Sequence, residues 1–185
     1  IDTRHKTEFA KGFIPGSLNI QGNNAFATWA GWFLKYDEPF ILLAKESQLD
    51  DLTRKLMRIG LDNIYGYIDD VSMWTGLGHA LEKAHVLSID EFEQLHKNNG
   101  IQLVDLRGAS EYKAGHIAGA ENVFVGTLPD NLNKINKDKP AVIYCQSGDR
   151  TTIGYSLLAK HGFTKIMNYS GGMSEWTNKG KPVVS

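Results

Sequence analysis

The clearest pattern of apolar and polar positions in the chain lies around Cys145. Four apolar or aromatic residues at 141–144 are typical of a buried parallel strand. After Cys145, the residues at 146–150 are polar or small and predict a loop. A helix is predicted over 151–161, because apolar side chains fall on one face: Ile153, Leu157 and Leu158. The pattern therefore predicts a strand, a tight loop and a helix, with Cys145 at the end of the strand.

Strands and helices alternate through the second half of the chain. Ser88 and Glu91 form a capping-box pattern, which predicts a helix that continues to about Lys97. Ser110 is expected to cap a second, short helix in the same way. The remaining elements are predicted as strands over 101–106, 121–125 and 165–169, helices over 110–114 and 128–135, and a short segment over 171–178. This alternation predicts the α/β class, with a parallel sheet covered by helices on both faces.

The chain contains an internal repeat. Asp2 and Arg4 recur 103 positions later as Asp105 and Arg107. Other pairs keep nearly the same spacing: Glu8 and Glu111, Gly16 and Gly119, Asn19 and Asn122, Gly60 and Gly162, Trp74 and Trp176. Ordered self-similarity at a fixed period indicates repeated structural units. We therefore predict two domains of one fold, at 1–80 and 86–185.

The first copy differs from the second at the position of the thiol. Ala44 aligns with Cys145, and Leu49 aligns with Arg150, so the first copy lacks both a thiol and its cationic neighbour. Its initial helix and strand start are expected before residue 1. The first domain is therefore predicted to be N-terminally truncated and catalytically degenerate, within a fragment of a longer polypeptide.

Composition and charge narrow the classes of function. Apolar residues make up 42% of the chain and charged residues 22%, which is sufficient for a packed core. The net charge of −1 offers no bulk attraction to nucleic acid or acidic membranes. There is no apolar run of 18 residues, so no membrane-spanning segment is predicted. A single cysteine forms no internal disulfide, which favours a cytoplasmic location. The six histidines lack metal-binding spacing, so no metal or cofactor is predicted in this chain.

Two interpretations of Cys145 compete. A lone cysteine at the end of a buried strand is commonly an inert core residue. The alternative is a reactive thiolate, because a strand end that meets a helix N-terminus favours an anion. Gly148 allows the backbone to curl toward the sulfur, and Arg150 supplies a fixed positive charge. These two residues favour the reactive interpretation.

The ordered motifs of the second copy resemble a rhodanese domain. They extend over about 80 positions and comprise Asp105-Leu106-Arg107, Glu111-Tyr112, Gly115 to Ala120, Cys145 to Arg150, Gly171-Gly172 with Trp176, and Gly180 to Val183. The resemblance covers all of the second copy and the first copy without its active loop. It implies two rhodanese-like α/β domains, the second of them a sulfurtransferase.

The resemblance also implies a mechanism and a set of site residues. Cys145 would take a sulfane sulfur from thiosulfate or a low-molecular-weight persulfide, and a thiol, cyanide or sulfite would accept it. Backbone amides of the loop would bind the substrate, with the residues Gln146, Ser147, Gly148, Asp149, Arg150 and Thr151. Arg150 is expected to bind an anionic donor or to orient the loop. The expected partners are thus a small sulfur donor and a thiol acceptor.

A wider resemblance concerns the tandem order of the copies. A degenerate copy followed by an active copy is similar to the C-terminal half of bacterial fusions in which a metallo-β-lactamase-fold persulfide dioxygenase precedes two rhodanese domains. Such a protein would take part in sulfide or persulfide metabolism. A missing N-terminal domain of that kind is an expected partner, and an iron site is expected only there. A homo-oligomer is compatible with the sequence.

Two other functions are compatible with parts of the pattern. Cysteine phosphatases and arsenate reductases of the related fold resemble this site but have five residues between cysteine and arginine, whereas this chain has four. A smaller loop suits a single sulfur better than a tetrahedral oxyanion. A non-catalytic interaction module is the other alternative, and it fits the first copy best.

Two further polar groups are interpreted as structural. Asp105 and Arg107 are predicted to form an ion pair, because the first copy keeps Asp2 and Arg4 without a thiol. His116 is predicted to pack rather than to act as a general base, since the first copy has Phe13 at that position.

Overall fold

The computed structural model describes residues 1–98 and 100–185. The chain divides into two units, Ile1–Lys83 and Ala84–Ser185, which we call unit 1 and unit 2. Each unit has its own parallel sheet and its own buried apolar residues. The architecture is α/β, as the alternation of predicted strands and helices indicates.

Unit 2 has a four-stranded parallel sheet in the order β4-β3-β5-β6. Its elements along the chain are α5 (Ile89–Lys97), β3 (Gln102–Asp105), α6 (Ala109–Ala114), β4 (Ala120–Asn122), a 3₁₀ segment (Val125–Lys134), β5 (Ala141–Tyr144), α7 (Asp149–Lys160), β6 (Ile166–Tyr169) and α8 (Gly172–Asn178). Central strand β5 is buried at every position. This order brings the C-terminal ends of β3 and β5 side by side, and Cys145 follows β5 directly.

Helices cover both faces of this sheet. On one face, Phe92 of α5 stacks on Tyr169 of β6 with ring centroids 4.5 Å apart, and Trp176 of α8 meets Phe92 edge-on. Val142 and Tyr144 belong to the same cluster. Side chains alternate along a strand, so Ile143 points to the opposite face, where α7 packs on β5 and β6. The predicted two-sided cover is confirmed.

Two local predictions in unit 2 have different outcomes. The capping box at α5 is confirmed, since Glu91 N donates to Ser88 Oγ and Ser88 N donates to Glu91 Oε2. The prediction that Ser110 caps α6 is wrong. Gly108 is the N-cap there, and its N–H donates to the Glu111 carboxylate instead. The side chain of Glu111, the third residue of α6, therefore caps the helix N-terminus.

The segment predicted as a helix over 128–135 is also different. It is a 3₁₀ segment that spans Val125–Lys134, with Pro129 inside and a non-helical backbone at Asn131. Proline removes a backbone donor and obstructs a regular α-helix, which explains the tighter and interrupted form. The strand predicted over 121–125 is Ala120–Asn122, and the 3₁₀ segment starts three residues after it, at Val125.

Unit 1 repeats this topology with fewer paired residues. Its elements are α1 (Lys6–Lys11), α2 (Phe26–Phe33), β1 (Phe40–Leu43), α3 (Glu46–Met57), β2 (Ile64–Ile68) and α4 (Ser72–Gly76). Strands β1 and β2 are parallel. Asp2 forms parallel bridges to Asn19 and Leu43, as Asp105 pairs with Asn122 and Tyr144 in unit 2. Within residues 1–98 and 100–185, no helix is long and apolar enough to cross a bilayer.

Candidate functional site

Cys145 lies between β5 and α7, at the C-terminal edge of the unit 2 sheet. Only 1% of the residue is exposed. The connecting loop has four residues, Cys145 to Gly148, because α7 begins at Asp149 rather than at residue 151 as predicted. Asp149, Arg150 and Thr151 therefore belong to the first turn of the helix. The thiol faces the helix N-terminus, where unpaired amides and the helix dipole stabilise negative charge.

Gly148 shapes this loop. Its φ of 94° lies in the left-handed region, which a residue with a side chain adopts only with strain. This conformation turns the Gly148 N–H toward the thiol, where it donates to Cys145 Sγ at 3.2 Å. Thr151 Oγ1 donates to the Gly148 carbonyl at 2.7 Å and closes the first turn. The predicted curl of the backbone toward the sulfur is confirmed.

The start of α8 holds the loop from the other side. Met173 N donates to the Cys145 carbonyl and Ser174 N donates to the Gln146 carbonyl, each at 2.9 Å. Gln146 Nε2 donates to Ser174 Oγ at 3.0 Å. This approach requires a glycine at 172, since a Cβ there would lie 2.3 Å from the Cys145 carbonyl oxygen. The sequence showed the Gly171-Gly172 pair only as part of a motif, and its contact with the loop emerges from the fold.

Arg150 is held by an acidic residue that sequence reasoning did not assign to the site. Arg150 Nη1 and Nη2 donate to the two carboxylate oxygens of Glu111 at 2.6 and 2.8 Å. The hydrogen bond from Arg150 lowers the pKa of Glu111. In turn, Glu111 raises the pKa of Arg150, and Cys145 contributes to the same rise. The guanidinium is therefore within electrostatic reach of both the carboxylate and the thiol.

Asp105 and Arg107 form a buried ion pair near this edge. Arg107 donates to both oxygens of Asp105 and, at 2.7 Å, to the Gly115 carbonyl. In unit 1, Arg4 makes the same contacts with Asp2 and with the Gly12 carbonyl. A pair that is preserved in the copy without a thiol supports the structural interpretation.

His116 packs against a neighbouring aromatic ring. Its imidazole stacks on Tyr112 with centroids 3.7 Å apart, and its Nδ1 lies 3.0 Å from the Tyr112 carbonyl oxygen. Unit 1 repeats the stack with Phe9 and Phe13, whose centroids are 4.4 Å apart. A position filled equally well by phenylalanine supports packing rather than proton transfer.

Unit 1 has a carboxylate at the place that the loop occupies in unit 2. Helix α3 begins at Glu46, two residues after Ala44, and Glu46 N donates to Asp69 Oδ1 at 3.0 Å. Lys45 forms an ion pair with Asp69 at 3.2 Å. By strand register, Asp69 corresponds to Ser170 of unit 2. The backbone N–H at the start of α3, where an anion would bind, therefore already donates to the Asp69 carboxylate.

The helix register also changes one alignment made from sequence. Helices α3 and α7 both have 12 residues, and they begin at Glu46 and Asp149. Counted from these helix starts, Ser47 stands at the position of Arg150, where the ungapped alignment placed Leu49. The loop of unit 1 is two residues shorter, which moves every helical position relative to an ungapped alignment. Neither Ser47 nor Leu49 carries a positive charge, so the predicted loss of the cation is unchanged.

No metal site accompanies the thiol in the part of the chain that the structure describes. Among residues 1–98 and 100–185, no group of three or more His, Cys, Asp or Glu side chains is arranged to hold a metal ion. The groups assembled around Cys145 are a backbone amide, a guanidinium and a helix N-terminus. This arrangement can stabilise a thiolate or an anion bound to it.

Comparison with known proteins gives consistent similarities. The chain is 40% identical to the uncharacterized protein YqhL of Bacillus subtilis over 78 residues, which are 42% of this chain and 62% of YqhL. It is 29% identical to the thiosulfate sulfurtransferase GlpE of Shewanella oneidensis over 90 residues, 49% of this chain and 89% of GlpE. The structure of reduced Bacillus anthracis CoADR-RHD aligns with a TM-score of 0.51 and 29% identity, over 55% of this chain and 18% of that one.

A family model shows the same relationship across both copies. The model for the rhodanese-like domain matches residues 1–77 and residues 88–179. These segments correspond to units 1 and 2 and include the Cys145 loop. The chain therefore belongs to the rhodanese-like domain family, with two copies of the domain in tandem.

Proposed function

We propose that unit 2 is a sulfurtransferase that moves a sulfane sulfur through a persulfide on Cys145. The observation that carries this proposal is the environment of the thiol. Cys145 Sγ accepts the Gly148 N–H at 3.2 Å at the N-terminus of α7, with Arg150 within electrostatic reach. A persulfide keeps its negative charge on the outer sulfur, and the same donors stabilise it. The relationship to GlpE, which is named a thiosulfate sulfurtransferase, supports the reaction class.

The reaction has two displacement steps. In the first, the Cys145 thiolate attacks the outer sulfur of thiosulfate, the S–S bond breaks, and sulfite leaves with the bonding electron pair. In the second, an acceptor thiolate attacks the outer sulfur of the persulfide, and Cys145 leaves as a thiolate. Cyanide as acceptor yields thiocyanate, and sulfite regenerates thiosulfate. Neither displacement step needs an external oxidant or reductant.

A low-molecular-weight persulfide is the second donor that we propose. Cys145 would attack its outer sulfur, and the parent thiolate would leave. This donor fits the resemblance to fusion proteins with a persulfide dioxygenase domain, which we extend to this chain as part of the proposal. The low exposure of Cys145 favours small donors of either kind.

The loop length favours sulfur transfer over phosphatase chemistry. Four residues separate Cys145 from Arg150, and two of them, Gln146 and Ser147, are exposed. The Gly148 amide already lies against the sulfur, which supports a cradle for one additional atom. In the proposed site, amides from Gln146 to Thr151 surround the outer sulfur.

The test is the mass of the Cys145 peptide after incubation with thiosulfate. We expect a gain of one sulfur atom, which dithiothreitol removes. Cys145→Ser should show no gain and no formation of thiocyanate from thiosulfate and cyanide, because a serine hydroxyl forms no persulfide. Circular dichroism of the variant serves as the control for folding. Sulfur transfer retained by Cys145→Ser would refute the proposal.

A further inference from the structure

Glu111 reaches the active-site loop from a different element. It lies on α6, 39 positions before Arg150 in the chain. Its two carboxylate oxygens accept hydrogen bonds from both terminal nitrogens of Arg150. The same carboxylate accepts the Gly108 N–H at 3.0 Å. Three hydrogen bonds therefore fix the Glu111 side chain between the start of α6 and the first turn of α7.

This contact holds Arg150 before any donor arrives. A free arginine side chain samples many rotamers, and this freedom is already lost when the guanidinium is fixed in one orientation before the donor binds. The Arg150 side chain is 17% exposed, so it is largely removed from solvent competition. A guanidinium has five N–H donors, of which Glu111 takes two. Three donors are left for the thiol or for an anion bound beside it.

The repeat supplies an internal comparison. Glu8 occupies the position of Glu111 in unit 1, but its carboxylate pairs with Lys11 at 2.8 Å on the surface. Counted from the start of the equivalent helix, Ser47 of unit 1 stands at the position of Arg150. The glutamate of the copy without a thiol thus has a local partner on its own helix, whereas the glutamate of the copy with a thiol reaches across to the loop.

We infer that Glu111 is a positioning residue that orients the Arg150 guanidinium for the sulfonate group of a donor such as thiosulfate. The inference rests on the proposed sulfurtransferase function and deepens it. A guanidinium in a fixed orientation binds tetrahedral anionic oxygens with defined geometry. A persulfide has no sulfonate oxygens, so its use should depend little on this contact. Substitution of Glu111 should therefore reduce transfer from thiosulfate more than transfer from a persulfide.

The experiment compares the unmodified chain with Glu111→Gln, Arg150→Ala and the double variant. Glutamine keeps an oxygen for the Gly108 N–H but removes the charge and one acceptor for Arg150. Glu8→Gln is the matched control, because it changes the equivalent glutamate of unit 1. Steady-state sulfur transfer is measured with thiosulfate and with the persulfide of N-acetylcysteine methyl ester. Thermal unfolding is recorded for each protein.

We expect Arg150→Ala to lower kcat/KM for thiosulfate on the order of tenfold to a hundredfold, through loss of charged hydrogen bonds. Glu111→Gln should lower it about tenfold, mainly by raising KM. For the persulfide, Glu111→Gln should lower kcat/KM by a smaller factor than for thiosulfate, whereas Arg150→Ala should lower it as well, because the guanidinium also stabilises the Cys145 thiolate. The double variant should be no worse than Arg150→Ala, because Glu111 acts through Arg150. Additive losses, or a loss in Glu111→Gln that is equal for the two donors, would overturn the inference.

A second measurement does not need sulfur transfer. Iodoacetamide alkylates Cys145, the single thiol of the chain, and inorganic sulfate, an unreactive analogue of thiosulfate, should slow that alkylation. We expect the half-protecting sulfate concentration to rise about tenfold in Glu111→Gln and in Arg150→Ala, and not to change in Glu8→Gln. No protection in the unmodified chain would overturn the inference while leaving sulfur transfer intact. Protection without any Cys145 persulfide would instead refute the proposed function.

Discussion

Gly172 has no side chain at the point where α8 meets the Cys145 loop. Its φ is 58°, and an added Cβ would lie 2.3 Å from the Cys145 carbonyl oxygen and 2.8 Å from that of Gln146. These atoms are backbone and cannot move without displacing the loop. A single hydrogen atom in place of a methyl group thus allows α8 to hold the loop by two amide hydrogen bonds.

We predict that Gly172→Ala destabilises unit 2 by roughly 2–4 kcal/mol, from left-handed strain together with overpacking. Sulfur transfer should fall more than about tenfold, because the loop must shift to accept the methyl group. Gly119→Ala is the matched control, since its φ is 77° and its Cβ would meet open space. It should cost only about 1–2 kcal/mol and leave transfer unchanged. Urea unfolding and transfer rates measure both effects, and equal behaviour of the two variants would contradict this account.

The Glu111–Arg150 pair predicts a pH dependence of stability. The pKa of Glu111 is lowered in the folded protein, chiefly by the hydrogen bond from Arg150. A carboxyl with a lowered folded-state pKa stabilises the protein above its unfolded pKa of about 4.3 and loses this contribution as the pH falls through the folded value.

The free energy of unfolding should therefore differ between the unmodified chain and Glu111→Gln at neutral pH, and the difference should shrink at pH values below about 4. Because the Glu111 side chain is 37% exposed, we expect no more than about 1 kcal/mol. Urea titrations between acidic and neutral pH measure the difference. A difference in the free energy of unfolding between the two proteins that grew as the pH fell would contradict this prediction.

At the scale of elements, the two strand-loop-helix segments show why one copy can hold an anion and the other cannot. In unit 2, four residues connect β5 to α7, and Gly148 directs its N–H to the thiol. In unit 1, two residues connect β1 to α3, and the Asp69 carboxylate accepts the Glu46 N–H. The start of α3 is therefore shorter, lacks an arginine and already carries a bound carboxylate.

We predict that Ala44→Cys in a Cys145→Ser background gives a folded protein without sulfur transfer. A thiol at position 44 would lack the Gly148-type amide and the arginine, and Asp69 would repel an anionic donor. Thiocyanate formation from thiosulfate and cyanide measures the outcome, with Cys145→Ser alone as the control. Turnover near that of the unmodified chain would show that unit 1 lacks only a thiol.

The sheet faces differ between the copies as well. In unit 2, Tyr169 is fully buried beneath Phe92 of α5. Its counterpart by strand register in unit 1, Ile68, is only partly buried, and Ile41, the counterpart of Val142, is 42% exposed. In unit 2 this face is covered by Phe92 of α5, which stacks on Tyr169. An element outside the strands therefore contributes to the burial of their side chains.

At the scale of the whole molecule, all residues of the candidate site lie in unit 2. Cys145, Arg150, Glu111 and Gly172 fall within Ala84–Ser185, together with the four-stranded sheet and its core. The similarity to GlpE involves 49% of this chain and 89% of GlpE, so a single copy of the domain accounts for most of that protein.

We therefore predict that residues 84–185 fold alone and transfer sulfur with kcat/KM within about twofold of the full chain, because the sheet, the core and the site are complete in that unit. Circular dichroism and steady-state kinetics with thiosulfate measure this. The same segment with Cys145→Ser is the control. A segment that folds but loses transfer would show that unit 1 contributes to the reaction.

Features that depend on neighbouring residues and on the internal repeat could be predicted from the amino-acid sequence. The apolar run at 141–144, the glycine at 148 and the stripe of α7 predicted the strand, loop and helix around Cys145, because strand and helix periods are local properties. The repeat predicted that Asp105 and Arg107 form a structural pair. The loop length, four residues rather than five, favoured sulfur transfer over phosphatase chemistry without any coordinates.

The groups that surround the thiol from distant parts of the chain could be identified only from the folded protein. Glu111 meets Arg150 across 39 positions, α8 holds the loop at Gly172, and Asp69 covers the start of α3 across 23 positions. Each contact depends on strand order, which brings the C-terminal ends of neighbouring strands to one edge of the sheet. No local pattern of apolar and polar residues encodes that proximity, so a glutamate on α6 looks like a surface residue until the sheet is assembled.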